Sequence, residues 1–330
     1  GKPLNRIDQG VSKPILSPLQ KRISFIRRRI AGEGMNECIS YSFIDSKSAE
    51  YFLTEGSLTV LTNPISSEMS HMRPGLLPGL CKAAKRNQAR SFNDLKLFEI
   101  GEVFYGKEPG QQKVHAAGIF AGNFYQKNSY SSQRKVDVFD CKRIIEIVLS
   151  EMGIKLENLK LFRSKVPKYY HPGRSGALSL GPNNLLAFFG ELHPKIVKFY
   201  DLKGPLMGFE VFLENAPYPK NRKLIRNPLK VSDFQPVERD FAFVVPWDCE
   251  VETIRRAIME SASDFIDDAR LFDIFEGTEA EKQLGTGCKS VAFMVRLLPK
   301  DSTFTDEELD HISVKIISKV ARVTGGVLRS

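Results

Sequence analysis

The stretch MRPGLLPGLCKAAKRNQARSFNDLKLFEIGEVF, residues 72–104, carries an Arg-Pro turn into a leucine-rich segment, then a basic loop, then ten residues of strand character. Over 74–89, Leu76, Leu80, Ala83 and Ala84 fall on one side and Lys82, Lys85 and Arg86 on the other, the period of a helix with one buried face. LKLFEIGEVF (95–104) and VHAAGIFAG (114–122) then read as strands, the first carrying Glu99. A helix feeding strands that follow one another directly predicts an antiparallel α+β layer.

Outward from this stretch the pattern repeats. Ser17-Pro18 is a helix start, with a capping residue and Pro at the first helical position. Leu19, Ile23, Ile26 and Ile30 share the inner face of that helix, and Lys21, Arg22 and Arg27 to Arg29 take the outer one. NECISYSFI (36–44) is expected to be a strand, with Cys38, Ser40 and Ser42 on one side and Ile39, Tyr41 and Phe43 on the other. Further on, Ile144, Ile145, Val148 and Met152 stripe a helix over 138–152, and strand-like runs come at 176–181, 185–192 and 207–213. Residues 215–237 hold four prolines and a basic cluster without an apolar period, which predicts a linker. The remainder orders itself as strand 238–245, helix 250–262, strand 269–276, strand 289–298, helix 305–321 and strand 326–329. That is βαββαβ, a ferredoxin-like arrangement, and Thr305-x-x-Glu308 supplies a capping box for its second helix. The expected domains are therefore 1–214 and 238–330, with 215–237 between them.

A chain of 330 residues at 42% hydrophobic suits about two domains. It has no apolar run near the roughly 18 residues a membrane span needs, so a cytoplasmic protein without a membrane partner is expected. GKPLNRIDQG opens without Met or an apolar leader, and Gly1 reads as the start of a fragment. Five scattered cysteines, none at zinc spacing, read as reduced, buried thiols. The net charge of +9 is unevenly spread: residues 238–330 hold 12 Lys/Arg against 18 Asp/Glu, net −6, leaving 36 against 21, net +15, for 1–237. The basic part suits a nucleic-acid partner or a solvated surface equally.

Catalytic constellations are scarce. The five histidines never fall at i,i+4 metal spacing, and His171-Pro172 and His193-Pro194 read as turns. HPGR (171–174) either presents Arg174 to a phosphate or partner or is a tight loop, and TGG (324–326) precedes a terminal strand instead of opening a helix. The C-terminal alternation says more. Val291, Phe293, Val295 and Leu297 form one face of their strand, leaving Ser290, Ala292, Met294 and Arg296 on the other. Phe241, Phe243 and Val245 likewise face inward, with Ala242 and Val244 outward; in LFDIFEG, Phe272 and Ile274 are expected inward and Asp273 and Phe275 outward. An aromatic beside a carboxylate and a hydroxyl, among small neighbours, suits an unpaired base, with Phe275 stacking and Asp273 and Ser290 at the base edge. The other reading is a sheet face covered by another domain. The net −6 argues against a free-standing RNA binder, because counterion release is the usual source of affinity.

Taken in order, NPISSEMSHMRPGLLPGLCKAAKRN, LKLFEIGEVF, YYHPGRSGAL, GELHP, FYDL, ERDFAFVV, LFDIFEG, CKSVAFMVRL and FTDEEL resemble the C-terminal part of the bacterial phenylalanyl-tRNA synthetase beta subunit, from about Ser17 onward. The resemblance implies a class II synthetase-like core followed by an anticodon-binding module that contacts tRNA(Phe) through Ala242, Asp273, Phe275, Ser290, Met294 and Arg296. Class II activation places an arginine two residues before an acid on a strand; if Glu99 is that acid, Leu97 stands in the arginine slot. GFEVFLENAPYP also lacks the later glycine-arginine segment. The core is therefore expected to be catalytically silent, with no catalytic or metal-ligating residue of its own. The resemblance places catalysis, with ATP, phenylalanine and magnesium, on an alpha subunit in a heterotetramer of two alpha and two beta chains, and puts editing and upstream modules before residue 1. Arg28, Arg86 and Arg174 are the expected subunit-interface residues. The rival readings are a single-chain organellar synthetase, which needs intact arginine motifs, and a ferredoxin-like ligand- or RNA-binding protein without synthetase ties.

Overall fold

In the computed structural model the chain forms two units, Gly1–Arg222 and Lys223–Ser330, and the structure describes residues 14–54, 56–125, 128–130, 132–218, 233–300 and 302–329. The linker expected over 215–237 therefore lies largely outside the described residues, and Val237 already belongs to a strand.

The N-terminal unit opens with helix α1 (Pro18–Gly32), whose Ser17 hydroxyl accepts from the Gln20 amide while Gln20 Oε1 accepts from Ser17 N–H at 2.9 Å. Strands β1 (Asn36–Glu37) and β2 (Phe43–Ile44), helix α2 (Ser46–Phe52), strand β3 (His71–Met72) and helix α3 (Leu77–Gln88) follow. Next come β4 (Leu95–Phe104), β5 (Gln112–Ala121), helix α4 (Val138–Glu151), β6 (Leu159–Phe162), β7 (Tyr170–Leu180), β8 (Leu185–Leu192), helix α5 (Pro194–Phe199) and β9 (Leu206–Phe212). A seven-stranded sheet of order β1-β4-β5-β9-β8-β7-β6 forms, antiparallel throughout except where β1 joins β4.

The pleat sends alternate residues of each strand to opposite faces, and both faces are buried. Phe98, Phe120, Phe189 and Phe209 pack against Ile26 and Ile30 of α1 and Ile144, Ile145 and Val148 of α4. On the other face Leu95, Leu97, Ala117 and Ile119 pack against Leu77, Leu80 and Ala84 of α3 and against Tyr169 and Tyr170.

Three expectations for this unit fail. Residues 36–44 form two short strands, because Ser40 turns to Glu99 with both its amide and its hydroxyl instead of continuing a ladder. Arg22 is buried, not on the wet face: Nη1 donates to the carbonyls of Leu213 at 2.6 Å and Ala216 at 2.8 Å, and Nη2 to Pro217 at 3.2 Å. His193 caps α5 by accepting from Lys195 N–H, and His171 lies within β7, so neither sits in a simple turn.

The C-terminal unit contains β10 (Val237–Pro246), α6 (Val251–Ser261), β11 (Ile266–Phe275), α7 (Thr278–Leu284), β12 (Cys288–Leu297), α8 (Asp306–Thr324) and β13 (Val327–Leu328). The sheet order is β11-β12-β10-β13, all antiparallel, which is the ferredoxin-like arrangement with β12 and β10 central. Val291, Phe293, Val295 and Leu297 are fully buried with Ile254 and Ile258 of α6 and Ile312, Ile316 and Val320 of α8. Each such side chain contributes about 1.5–3 kcal/mol. The Thr305–Glu308 capping box forms as expected. Helix α7 was not anticipated; glycines at φ +96° (Gly277) and +99° (Gly285) bracket it, a conformation L side chains rarely adopt.

Strand β11 departs from strict alternation. The register slips between Leu271 and Asp273, so Leu271 pairs with Phe293 of the core face and Phe272 occupies the bulge, 56% exposed. Ile274 faces the core side opposite Val291, yet it is 38% exposed. The inward placement expected for Phe272 is therefore corrected, whereas Ile274 keeps the core side but is incompletely covered.

Candidate functional site

Cross-strand registers define the sheet face opposite α6 and α8 row by row. Val244, Ser290 and Phe275 form one row across β10, β12 and β11; Ala242, Ala292 and Asp273 form the next. Asp240, Met294 and Arg270 follow, then Glu238, Arg296 and Asp268. The six expected residues thus share one face, because the Leu271/Asp273 slip restores the phase for Asp273 and Phe275. Within the face the environments differ. Asp273 is exposed and Phe275 half-buried, whereas Ser290 is 3% and Ala292 8% exposed. Ser290 therefore lies in the floor between Val244 and Phe275. Arg296 sits at the far end with its guanidinium 3.8 Å from Asp267.

One residue of this face escaped the sequence reading. Val327 of β13 pairs with Val244, so Arg329, two residues on, shares the face; its amide donates to the Ala242 carbonyl at 2.7 Å. The Arg329 guanidinium carbon lies 5.4 Å from the centre of the Phe275 ring, within cation–π range. Strand alternation over 326–329 held the signal.

The N-terminal sheet presents carboxylates to a closed interior. Glu99 of β4 and Glu210 of β9 flank Ala117 of β5 in one row. Arg73 Nη1 meets Glu99 Oε1 at 2.6 Å, and both side chains are buried. Ser40 Oγ donates to Glu99 Oε2 at 2.7 Å, and Arg73 Nε donates to the Glu102 carbonyl at 2.9 Å. A Cβ at position 101 would meet Arg73 Nη2 at 2.5 Å, so any larger residue there would displace the guanidinium from Glu99. Glu210 accepts from the Tyr169 hydroxyl at 2.8 Å and the Tyr170 hydroxyl at 3.2 Å. Burial pushes its carboxyl up to about 7 despite those two donors. On the same face, burial helped by nearby Lys113 takes His115 down to about 3, and its Nδ1 has no hydrogen-bond partner among the described residues. Leu97 is sealed in the core. A pocket of about 430 Å³ in this unit lies elsewhere, lined among others by Leu16, Phe25, Ile26, Met152 and Tyr218. Among the described residues no group of His, Cys, Asp and Glu could hold a metal ion, and no helix is long and apolar enough to cross a membrane.

Arg28, Arg86 and Arg174 are not brought together. Arg28 is exposed on α1, its guanidinium 5.2 Å from the Phe25 ring, and Arg86 is exposed on α3 across the sheet. Arg174 grips Glu191 with two donors, at 2.6 and 2.9 Å. The cysteines are free; Cys81 and Cys141 are buried, whereas Cys38, Cys249 and Cys288 are partly exposed, against the expectation of five buried thiols.

The family model described as "Phenylalanyl tRNA synthetase beta chain CLM domain" matches residues 6–213. The chain belongs to the phenylalanyl-tRNA synthetase beta-chain family. A second model, "Ferredoxin-fold anticodon binding domain", matches residues 232–329 of this beta-chain sequence. Proteins named phenylalanine–tRNA ligase beta subunit from Cereibacter sphaeroides and Ruegeria pomeroyi are 49% and 46% identical over 329 residues each, and that from Paramagnetospirillum magneticum is 41% identical over 318. These alignments cover 96–100% of the chain, which spans about 40% of the relatives' length. A solved pyrrolysyl tRNA synthetase of Desulfitobacterium hafniense superposes with a TM-score of 0.46 at 15% identity, covering 60% of this chain and 67% of that one. That likeness is too distant to bear on the site of this beta-chain member.

Proposed function

We propose that this chain is the part of a phenylalanine–tRNA ligase beta subunit that reads the anticodon region of tRNA(Phe), joined to a class II-like unit that supports catalysis without performing it. The observation that carries the reading is the pair of rows Val244–Ser290–Phe275 and Ala242–Ala292–Asp273. They set an aromatic beside small side chains, so that a flat base can approach the backbone, with an exposed carboxylate to accept from its edge. Met294 continues the apolar floor with an adaptable side chain, and Arg296 closes the row beyond.

The silent role of the N-terminal unit is supported by where its charges go. A transition state that builds negative charge needs donors aimed at an accessible point. Here the Arg73 guanidinium is already committed to Glu99 and the Glu102 carbonyl. Activation with ATP, phenylalanine and magnesium is assigned to an alpha subunit, in an assembly of two alpha and two beta chains. Expression of the full beta subunit should bring that partner through purification, and the isolated chain should show no phenylalanine-dependent pyrophosphate exchange.

The deciding experiment is Phe275→Ala in the complete synthetase. A stacking aromatic contributes about 1–3 kcal/mol, so KM for tRNA should rise roughly tenfold, with amino-acid activation in the absence of tRNA unchanged. Equal charging of wild-type and anticodon-substituted tRNA by the variant and the parent would count against the reading.

A further inference from the structure

The sheet face carries a cation that its charge balance does not call for. The C-terminal part has 18 Asp/Glu for 12 Lys/Arg, and the other arginines of this face find acids: Arg270 lies 3.7 Å from Asp268 and Arg296 3.8 Å from Asp267. Among the described residues Arg329 makes no ion pair; its guanidinium lies over Phe275 instead. Arg329 directly follows the edge strand β13 and Phe275 ends the opposite edge strand β11, three strand spacings or about 14 Å away. Only a long side chain laid flat over β10 towards β12 spans that gap. Its amide is fixed to Ala242, and the two alanines beneath that path, Ala242 and Ala292, leave room for it.

We propose that Arg329 is an RNA-binding residue of this face, the second plane of a sandwich whose first plane is Phe275. The proposal rests on the reading that the face accepts an unpaired base. Without RNA the guanidinium lies on the ring and keeps it covered. A base entering between the two planes needs about 3.5 Å on each side, roughly 7 Å in all, so the guanidinium at 5.4 Å has to withdraw by about 2 Å. A side chain anchored only through its own backbone makes that move without disturbing the sheet. Guanidinium planes stack on bases as aromatic rings do, and arginine here supplies a flat, permanently charged face that lysine does not.

The test uses the complete synthetase with tRNA carrying 2-aminopurine at each anticodon position in turn, reading both affinity and fluorescence quenching. Arg329→Ala is expected to weaken tRNA binding by about fivefold or more, the lower end of one stacking plane, and to reduce quenching at one position. Arg329→Lys should restore little, and Phe275→Ala combined with Arg329→Ala should cost less than the product of the single effects, since the two planes act on one base. If Phe275→Ala weakens binding while Arg329→Ala behaves as wild type, the proposal is overturned and the base-binding face stands. If Phe275→Ala is also without effect, the face itself is misread and both fall. An Arg329→Ala loss that Lys repairs, and that fades with added salt, would mark Arg329 as a phosphate contact and overturn the sandwich.

Discussion

Both units lay an antiparallel sheet over helices, yet they treat its polar residues in opposite ways. In the N-terminal unit both sheet faces are covered, and Glu99 and Glu210 are consumed internally, one by Arg73 and Ser40, the other by Tyr169 and Tyr170. In the C-terminal unit α6 and α8 supply one core, and the other face leaves Asp273 exposed beside Phe275. The two sheets thus differ in whether their donors and acceptors are already spent.

The largest effect that could break this contrast is expected at Arg73. Removing one member of a buried pair leaves the other charge unpaired, so Arg73→Ala should destabilise the N-terminal unit by about 3–5 kcal/mol, read by chemical denaturation. A loss under about 1 kcal/mol would show that water reaches Glu99. Glu210 sharpens the same point through pH. Its folded-state value of about 7 exceeds the ordinary 4.5, so the unfolded chain gives up this proton first as pH rises. The associated stability is full below about 4.5, falls across the window to about 7, and amounts to about 3 kcal/mol. Glu210→Gln should remove that dependence, and its melting temperature should gain on the parent between pH 5 and pH 8.

On the open face the scale shrinks. Phe275→Ala should cost the fold only about 1 kcal/mol, chiefly the contact with Arg329, while weakening RNA binding as above. A much greater loss of stability would mean that the ring is a core residue. The smallest change is expected from charge reversal at Arg28 and Arg86, within about 0.5 kcal/mol for exposed side chains. If these residues serve assembly, gel filtration of the complete synthetase should show impaired complex formation. Unimpaired assembly would remove both from the interface.

Local pattern accounted for much of the architecture. Strands 95–104 and 185–192 form over the predicted residues, since an unbroken pleat against a packed face leaves a clear period. The capping boxes at Thr305 and the helix start at Ser17 were equally plain. The misreadings arose where a distant partner outweighed the local period. Arg22 looked solvent-facing because its carbonyl partners lie more than 190 residues away. Residues 36–44 alternated like a strand, yet Ser40 found Glu99. The bulge at Phe272 changed phase halfway along β11, which a count by twos does not anticipate. Of the candidate site, the shared face was legible; the near-complete burial of Ser290 and the reach of Arg329 depend on neighbouring strands.

The Arg22 clasp has a mechanical meaning. It joins the first helix to the carbonyls of Leu213, Ala216 and Pro217, with Tyr218 against the guanidinium at 3.7 Å. Tension arriving along the chain from the C-terminal side meets this knot before it reaches β9. A pull on the chain beyond Pro217 would therefore load these three hydrogen bonds to α1 before the ladder of β9.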